Sequence, residues 1–260
     1  MFWGLASGEV DPRQFEFEHV LRDIQSLNEW AIEGKLEVTA ISLAAYPLVQ
    51  ESYVLLPHGA SMGAGYGPVV VAREELSASD LRDIEIVVPG PLTTAFLVLR
   101  LAIGDFAWRA VAFDRILDEV SSGRADAGLL IHEGQLTYHE AGLKKVVDLG
   151  EWWLLDTGLP LPLGANVARR DLGAGTLFDL SEVLRDSIQA GLDNREEAME
   201  YALQFGRGLD TGLADRFVSM YVNELTCDYG EEGRQAVREL LRRAEAIGAY
   251  REPVRVEFVG

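Results

Sequence analysis

The sequence predicts an α/β protein built as two lobes with a central ligand cleft between them. Two observations carry this. A strand, a helix, a Gly-basic pair and a second strand follow one another twice, over residues 15–42 and 110–131. Two Gly/Pro-rich connections, near residues 68–73 and 163–168, each join an apolar strand, as a chain crossing between lobes would. The division expected is an outer discontinuous lobe of 1–73 and 168–260 around a central lobe of 74–167. The repeat alone has a plainer reading as well, because helix-stopping glycines make many β-α-β units look alike.

The elements read in order. Phe2 to Ala6 is expected to be helical. Phe15–Glu18 alternates apolar and acidic residues, the period of a strand. Ile24, Leu27, Trp30 and Ala31 recur at helical spacing, and Gly34 stops that helix. Leu36–Ser42 alternates again. The glycines between Gly59 and Pro68 invite a phosphate-loop reading, but the Lys-Ser/Thr of such a loop is missing and the segment precedes a strand, Val69–Ala72. A turn-rich loop feeding a crossover strand fits better. Glu85–Val88 is a strand, and the Pro89-Gly90-Pro91 turn leads to a helix opening at Thr93 or Thr94. Ala110–Phe113 reads as a short strand, Asp114 as the cap of a helix bearing Ile116, Leu117 and Val120, and Gly123 as its end. Ala127–Ile131 is a buried strand. Leu159–Ala168 returns the chain to the outer lobe. Asn194-Arg-Glu-Glu197 has the capping-box spacing before Ala198, Tyr201, Ala202 and Phe205. Val237, Leu240, Leu241, Ala244 and Ile247 mark the core face of the last helix.

Composition narrows the function. The chain has 260 residues, 48% hydrophobic and 25% charged, which excludes disordered and low-complexity classes. Twenty-three Lys and Arg oppose 42 Asp and Glu, a net charge of −19. That surface repels nucleic acid and anionic membranes, so neither is expected as a partner. A small anionic ligand requires a pocket with its own positive potential. The lone Cys227 excludes an internal disulfide, is expected to fill a core position and suits a reducing cytoplasm. Residues 1–10 have no basic and apolar leader pattern, which adds to the expectation of a cytoplasmic location.

Four histidines carry the candidate chemistry. His19 is expected to be structural, His58 solvated beside the glycine loop, and His139 part of a polar turn. His132 directly follows a buried strand, at the carboxyl end where open α/β sheets hold ligands. It is either a hydrogen-bonded structural residue or a general base. Ser42 ends the matching strand of the first repeat. Thr93 and Thr94 are either plain N-caps or the start of an anion site, where free N–H groups and the positive helix end point at a ligand. No metal-ligand spacing or nucleophile motif occurs, so no metal and no organic cofactor are expected.

Several segments together resemble the 1,4-dihydroxy-6-naphthoate synthases of the futalosine route to menaquinone. They are Phe113–Ile116 with Gly128–Tyr138, Val146–Trp153, Thr157–Gly164 and Gly67–Ala72, and the likeness runs over essentially the whole chain. The resemblance implies a periplasmic-binding-protein-like fold of type II. It implies a lyase that converts cyclic dehypoxanthinylfutalosine to 1,4-dihydroxy-6-naphthoate and dihydroxyacetone. By the same likeness His132 matches the proton acceptor, while Ala40, Ile41, Ser42, Thr94 and Ala95 match substrate-contacting segments. A relative carries Lys and Leu before the Ser, so Ala40 is expected to act through its backbone. Family members begin with a strand and a Ser-Pro-Cys-Pro-Asn-Asp-Thr loop ahead of the residues matching Met1–Gly4, and the reading frame is expected to continue upstream. A solute-binding protein for a small carboxylate and the related chorismate dehydratase are the rival readings.

Overall fold

The computed structural model describes residues 2–204 and 211–260. In chain order the elements are α1 (Trp3–Ser7), α2 (Ile24–Ile32), β1 (Val38–Ser42), α3 (Tyr46–Val49), β2 (Tyr53–Leu55), β3 (Ser61–Gly63), β4 (Val69–Ala72), β5 (Glu85–Val88), α4 (Thr94–Ile103), β6 (Ala107–Ala110), α5 (Ile116–Ser121), β7 (Ala127–Leu130), α6 (Gly134–Thr137), β8 (Lys144–Asp148), α7 (Leu149–Thr157), β9 (Leu161–Arg169), α8 (Ala174–Asp193), α9 (Arg195–Leu203), α10 (Thr211–Tyr221), α11 (Glu224–Cys227) and α12 (Gly230–Ala246). Among the described residues no helix is long and apolar enough to cross a membrane.

The strands form two sheets. In the first, β9 is the central strand, antiparallel to β1 on one side and to β2 and β3 on the other. The C-terminal segment joins it through a parallel bridge from Phe258 to Leu55. The second sheet has the order β6-β5-β7-β4-β8, with β5 parallel to both neighbours and β4 antiparallel to both of its own. The inner strands β4 and β7, and β5 from Ile86 on, are apolar and buried, as strands covered on both faces are, whereas the edge strands β6 and β8 are more exposed. One continuous core joins both sheets to α4 and α12. Helix α4 is buried over most of its circumference, whereas α12 buries Ala236, Val237, Leu240, Leu241 and Ala244 along one stripe.

The crossovers differ from the expected boundaries. β4 lies in the second sheet and β9 in the first, so the chain changes sheet between residues 63 and 69 and returns between 148 and 161. The two connections touch. Leu149 donates its N–H to the Pro68 carbonyl oxygen at 2.9 Å. A Cβ on Gly150 would fall 2.0 Å from the carbonyl carbon of Tyr66, and one on Gly67 would fall 2.8 Å from the Gly150 nitrogen. Only glycine permits this backbone approach, which is what the glycine-rich loop supplies.

Several local expectations fail for lack of a partner. Phe15–Glu18 is not a strand: β1 is the edge of its sheet and, among the described residues, no ladder extends beyond it. The strand expected at Ala110–Phe113 lies at 107–110, where it pairs with β5. Asp114 sits in a 3-10 turn, and α5 starts after Arg115 without a side-chain cap. The Asn194 amide donates to the Ala190 carbonyl, so no capping box forms. Ile247 follows α12 and is exposed, and Cys227 is half-buried beside Gln189 rather than in the core. Phe205 lies outside the described residues.

Replacing Gly150 with Ala forces two backbones apart, and we expect a loss of about 3 kcal/mol or more. A Cβ at Gly175 on α8 meets nothing within 4 Å, and Gly175→Ala is expected to be neutral or stabilising by up to about 1 kcal/mol. Urea denaturation of the two variants checks this; equal midpoints would refute the crossing as a steric constraint.

Candidate active site

Between the sheets lies a cavity of about 280 Å³. Its first wall is the end of the first sheet. β9 pairs with β1 and with β3 so that Ser42, Gly164 and Ser61 stand in one row across three strands. Side chains alternate faces along a strand. Ala40 and its partner Asn166 therefore share that face, and all five residues line the cavity. Gly164 forms a low floor between two hydroxyls.

Ser42 is held from behind by Asn28 of α2. The Asn28 Nδ2 donates to the Ser42 hydroxyl oxygen at 3.1 Å, and the Ser42 N–H donates to Asn28 Oδ1 at 2.7 Å. Asn28 is fully buried. With its oxygen occupied by a donor, the Ser42 hydroxyl has its proton left to offer to a ligand. Asn166, also buried, lies against Gly59, and its Nδ2 has no acceptor among the described residues.

The opposite wall is the start of α4 and the end of β7. Thr93 is the N-cap: its hydroxyl accepts from the Phe96 N–H at 3.3 Å and donates to the Gly90 carbonyl at 2.8 Å. The Thr94 hydroxyl crosses to the other sheet, accepting from the Ala44 N–H at 3.2 Å and donating to the Leu163 carbonyl at 2.5 Å. Both hydroxyls are thus committed within the protein. What Thr94 and Ala95 present to the cavity is first-turn backbone N–H, the donors that a helix start leaves unpaired. Among the described residues no Lys or Arg lines the cavity, so peptide dipoles are what it can offer an anion.

His132 follows β7 at the cavity edge with φ +58°, in the left-handed region. Its ring lies 4.7 Å from that of Phe113 and 6.2 Å from that of Phe217, centroid to centroid. Phe217 and Tyr221 of α10 cover the cavity on that side, and burial pushes the Tyr221 phenol up, keeping it protonated. Ala40, Ile41, Ser42, Thr94, Ala95 and His132 all line this one cavity. Sequence reasoning missed Asn28, Ser61, Asn166, Gln135, Phe217 and Tyr221. None carries a local signal: Asn28 is a polar residue within an amphipathic helix, and α10 is distant in sequence.

The other histidines lie away from the cavity. His19 is exposed and packs edge-on against Phe2. His139 is exposed in its turn. His58 is not solvated: it is 1% exposed, with Nε2 2.9 Å from the Ser181 hydroxyl of α8 and Nδ1 without a partner among the described residues.

Comparison with known proteins bears on this cavity. The chain matches a family described as menaquinone biosynthesis over residues 1–246. It is 44% identical over 259 residues to a 1,4-dihydroxy-6-naphthoate synthase of Thermus thermophilus, covering 100% of this chain and 94% of that protein. A Streptomyces coelicolor protein of the same name is 40% identical, covering 95% of this chain and 89% of its own. The crystal structure of an Archaeoglobus fulgidus protein superposes with a TM-score of 0.90 at 46% identity, covering 96% of this chain and 93% of that one. The ligand-binding component of an ABC-type import system from Staphylococcus aureus superposes at 0.71 with 12% identity, covering 97% and 88%. At that identity the likeness speaks for the fold alone: two-lobed and periplasmic-binding-protein-like.

His58 makes the protein sensitive to acid. Burial lowers its pKa from 6.5 to about 4. The folded chain keeps the imidazole neutral, while the unfolded chain takes up a proton below about 6.5. Its contribution to stability is complete above about 6.5 and drains away down to about 4, a loss on the order of 3 kcal/mol. Below that both states are protonated and this group adds no further slope. We expect His58→Gln to flatten the decline in stability between pH 6.5 and 4, read by chemical denaturation across that window; an unchanged slope would refute the assignment.

Proposed function

The chain belongs to the menaquinone biosynthesis family, and from that premise we propose that it is a carbon–carbon lyase, a 1,4-dihydroxy-6-naphthoate synthase acting in the cytoplasm. Its substrate is a small carboxylate, cyclic dehypoxanthinylfutalosine. The products are the naphthoate and dihydroxyacetone. Together they hold all the atoms of the substrate, so the stoichiometry calls for no oxidant or reductant.

The observation that carries this reading is one cavity lined by a strand-end imidazole, a hydroxyl with a free proton and the first turn of a helix. His132 accepts the proton of a substrate hydroxyl. The electron pair left on oxygen forms a carbonyl, the adjacent C–C bond breaks in retro-aldol fashion, and its electrons pass into the ring that becomes aromatic. Ser42 donates to a substrate oxygen, held in that orientation by Asn28. The substrate carboxylate rests on the N–H groups of Thr94 and Ala95, where the α4 dipole is positive. In an apolar cavity such preoriented dipoles act with little screening, which lets a protein of net charge −19 hold an anion without a cation.

Incubation with the cyclic substrate is expected to yield the naphthoate, followed by its absorbance and by mass. His132→Asn should leave the fold intact and lower kcat by about two to four orders of magnitude, the share usual for general acid–base catalysis. A folded His132→Asn protein with near-native kcat would remove His132 from the mechanism, and no turnover by the native protein would remove the reading itself.

A further inference from the structure

His132 reaches the cavity with a backbone conformation that disfavours a side chain. Its φ of +58° strains a residue with a Cβ, and such strain persists only where the surroundings hold it. The holder is three residues further on. Gln135 donates its backbone N–H to the His132 carbonyl oxygen at 3.1 Å. Its side-chain amide is buried between three polar groups. One end lies 2.7 Å from the Gly67 carbonyl oxygen and 2.7 Å from the Tyr221 hydroxyl, and the other lies 3.1 Å from the His132 nitrogen. A carbonyl can only accept and a backbone N–H can only donate. The first end is therefore the NH₂ and the second the oxygen.

We infer that Gln135 is the positioning residue of the site, clamping both polar backbone groups of His132 and anchoring that clamp to the crossover at Gly67 and to α10 at Tyr221. The inference rests on the role proposed above for His132. The neighbouring rings of Phe113 and Phe217 contact the imidazole from its sides, while the Gln135 amide fixes the backbone from which it projects. The amide also joins three parts of the chain far apart in sequence: the crossover, the strand-end turn and α10. Removing it releases the strained turn and cuts the tie to the covering helix, while the His132 imidazole itself is retained.

Gln135→Leu keeps the size of the side chain and removes every hydrogen bond of the amide. We expect kcat to fall about 10–100-fold, the cost of a misplaced catalytic group, with KM little changed. A second readout is independent of turnover. With only four histidines, labelling them with ¹³C and ¹⁵N resolves the Cα and Cβ shifts of His132, which report its φ. In Gln135→Leu those shifts are expected to leave the left-handed pattern, while those of His19 and His139 stay in place. If Gln135→Leu does not fold, Gln135→Met carries the same test. Unchanged kcat in the folded variant overturns the inference, and so does a loss of kcat with native His132 shifts. Should the native protein show no synthase activity, the shift measurement still decides whether Gln135 holds the turn.

Discussion

The contact on which the rest depends is the crossing of the two connections between the sheets. At Gly67 and Gly150 two backbones meet with no side chain between them. The crossing sets β4 beside β8, beginning with Val69 opposite Asp148. Asp148 then caps α7, its Oδ1 accepting from the N–H groups of Gly150 and Glu151 at 2.9 and 3.1 Å. A side chain at either glycine would push the lobes apart and take the hydrogen bond between Pro68 and Leu149 with them. The same crossing reaches the cavity, because the Gly67 carbonyl faces the Gln135 amide.

The cavity shows how a protein spends its buried polar groups. Buried donors and acceptors need partners, and most here find them in the architecture. Thr93 caps α4, Thr94 pins α4 to the first sheet through Ala44 and Leu163, and Asn28 braces Ser42. These bonds leave a small set of groups for a ligand: the Ser42 proton, the first-turn N–H groups and the Ser61 hydroxyl, in a cavity that the His132 imidazole also lines. Holding each on a strand end or helix start keeps it aimed without cost at the moment of reaction. The anion site then follows from peptide dipoles, and a surface with excess negative charge does not conflict with it.

Local pattern was enough for much of the fold. Asp23 caps α2 and Thr93 caps α4, since a side-chain oxygen reaches an N–H two or three residues on without any tertiary help. Gly34 and Gly123 end their helices with positive φ. The apolar runs at 69–72, 86–88 and 127–130 lie in strands buried on both faces. Patterns that needed a distant partner misled. Phe15–Glu18 alternates like a strand but joins neither sheet, and Asn194 has the cap spacing but turns back to Ala190.

By itself the sequence determined the α/β class, most of the elements, and the strand-end placement of His132, because these rest on periodicity and on short-range hydrogen bonds. The resemblance of its motifs pointed to the cavity residues 40–42, 94 and 95. Tertiary structure alone decided which strand joined which sheet, since β4 and β9 are read the same way until their partners are known. It alone made His58 a buried neutral residue, through Ser181, 123 positions away. It alone turned Thr94 into a pin between sheets and brought Asn28, Gln135 and α10 to the site. The physical reason is common to all of these. Burial and hydrogen bonding of a polar side chain are set by whatever packs against it, and no spacing along the chain encodes a neighbour that arrives from another lobe.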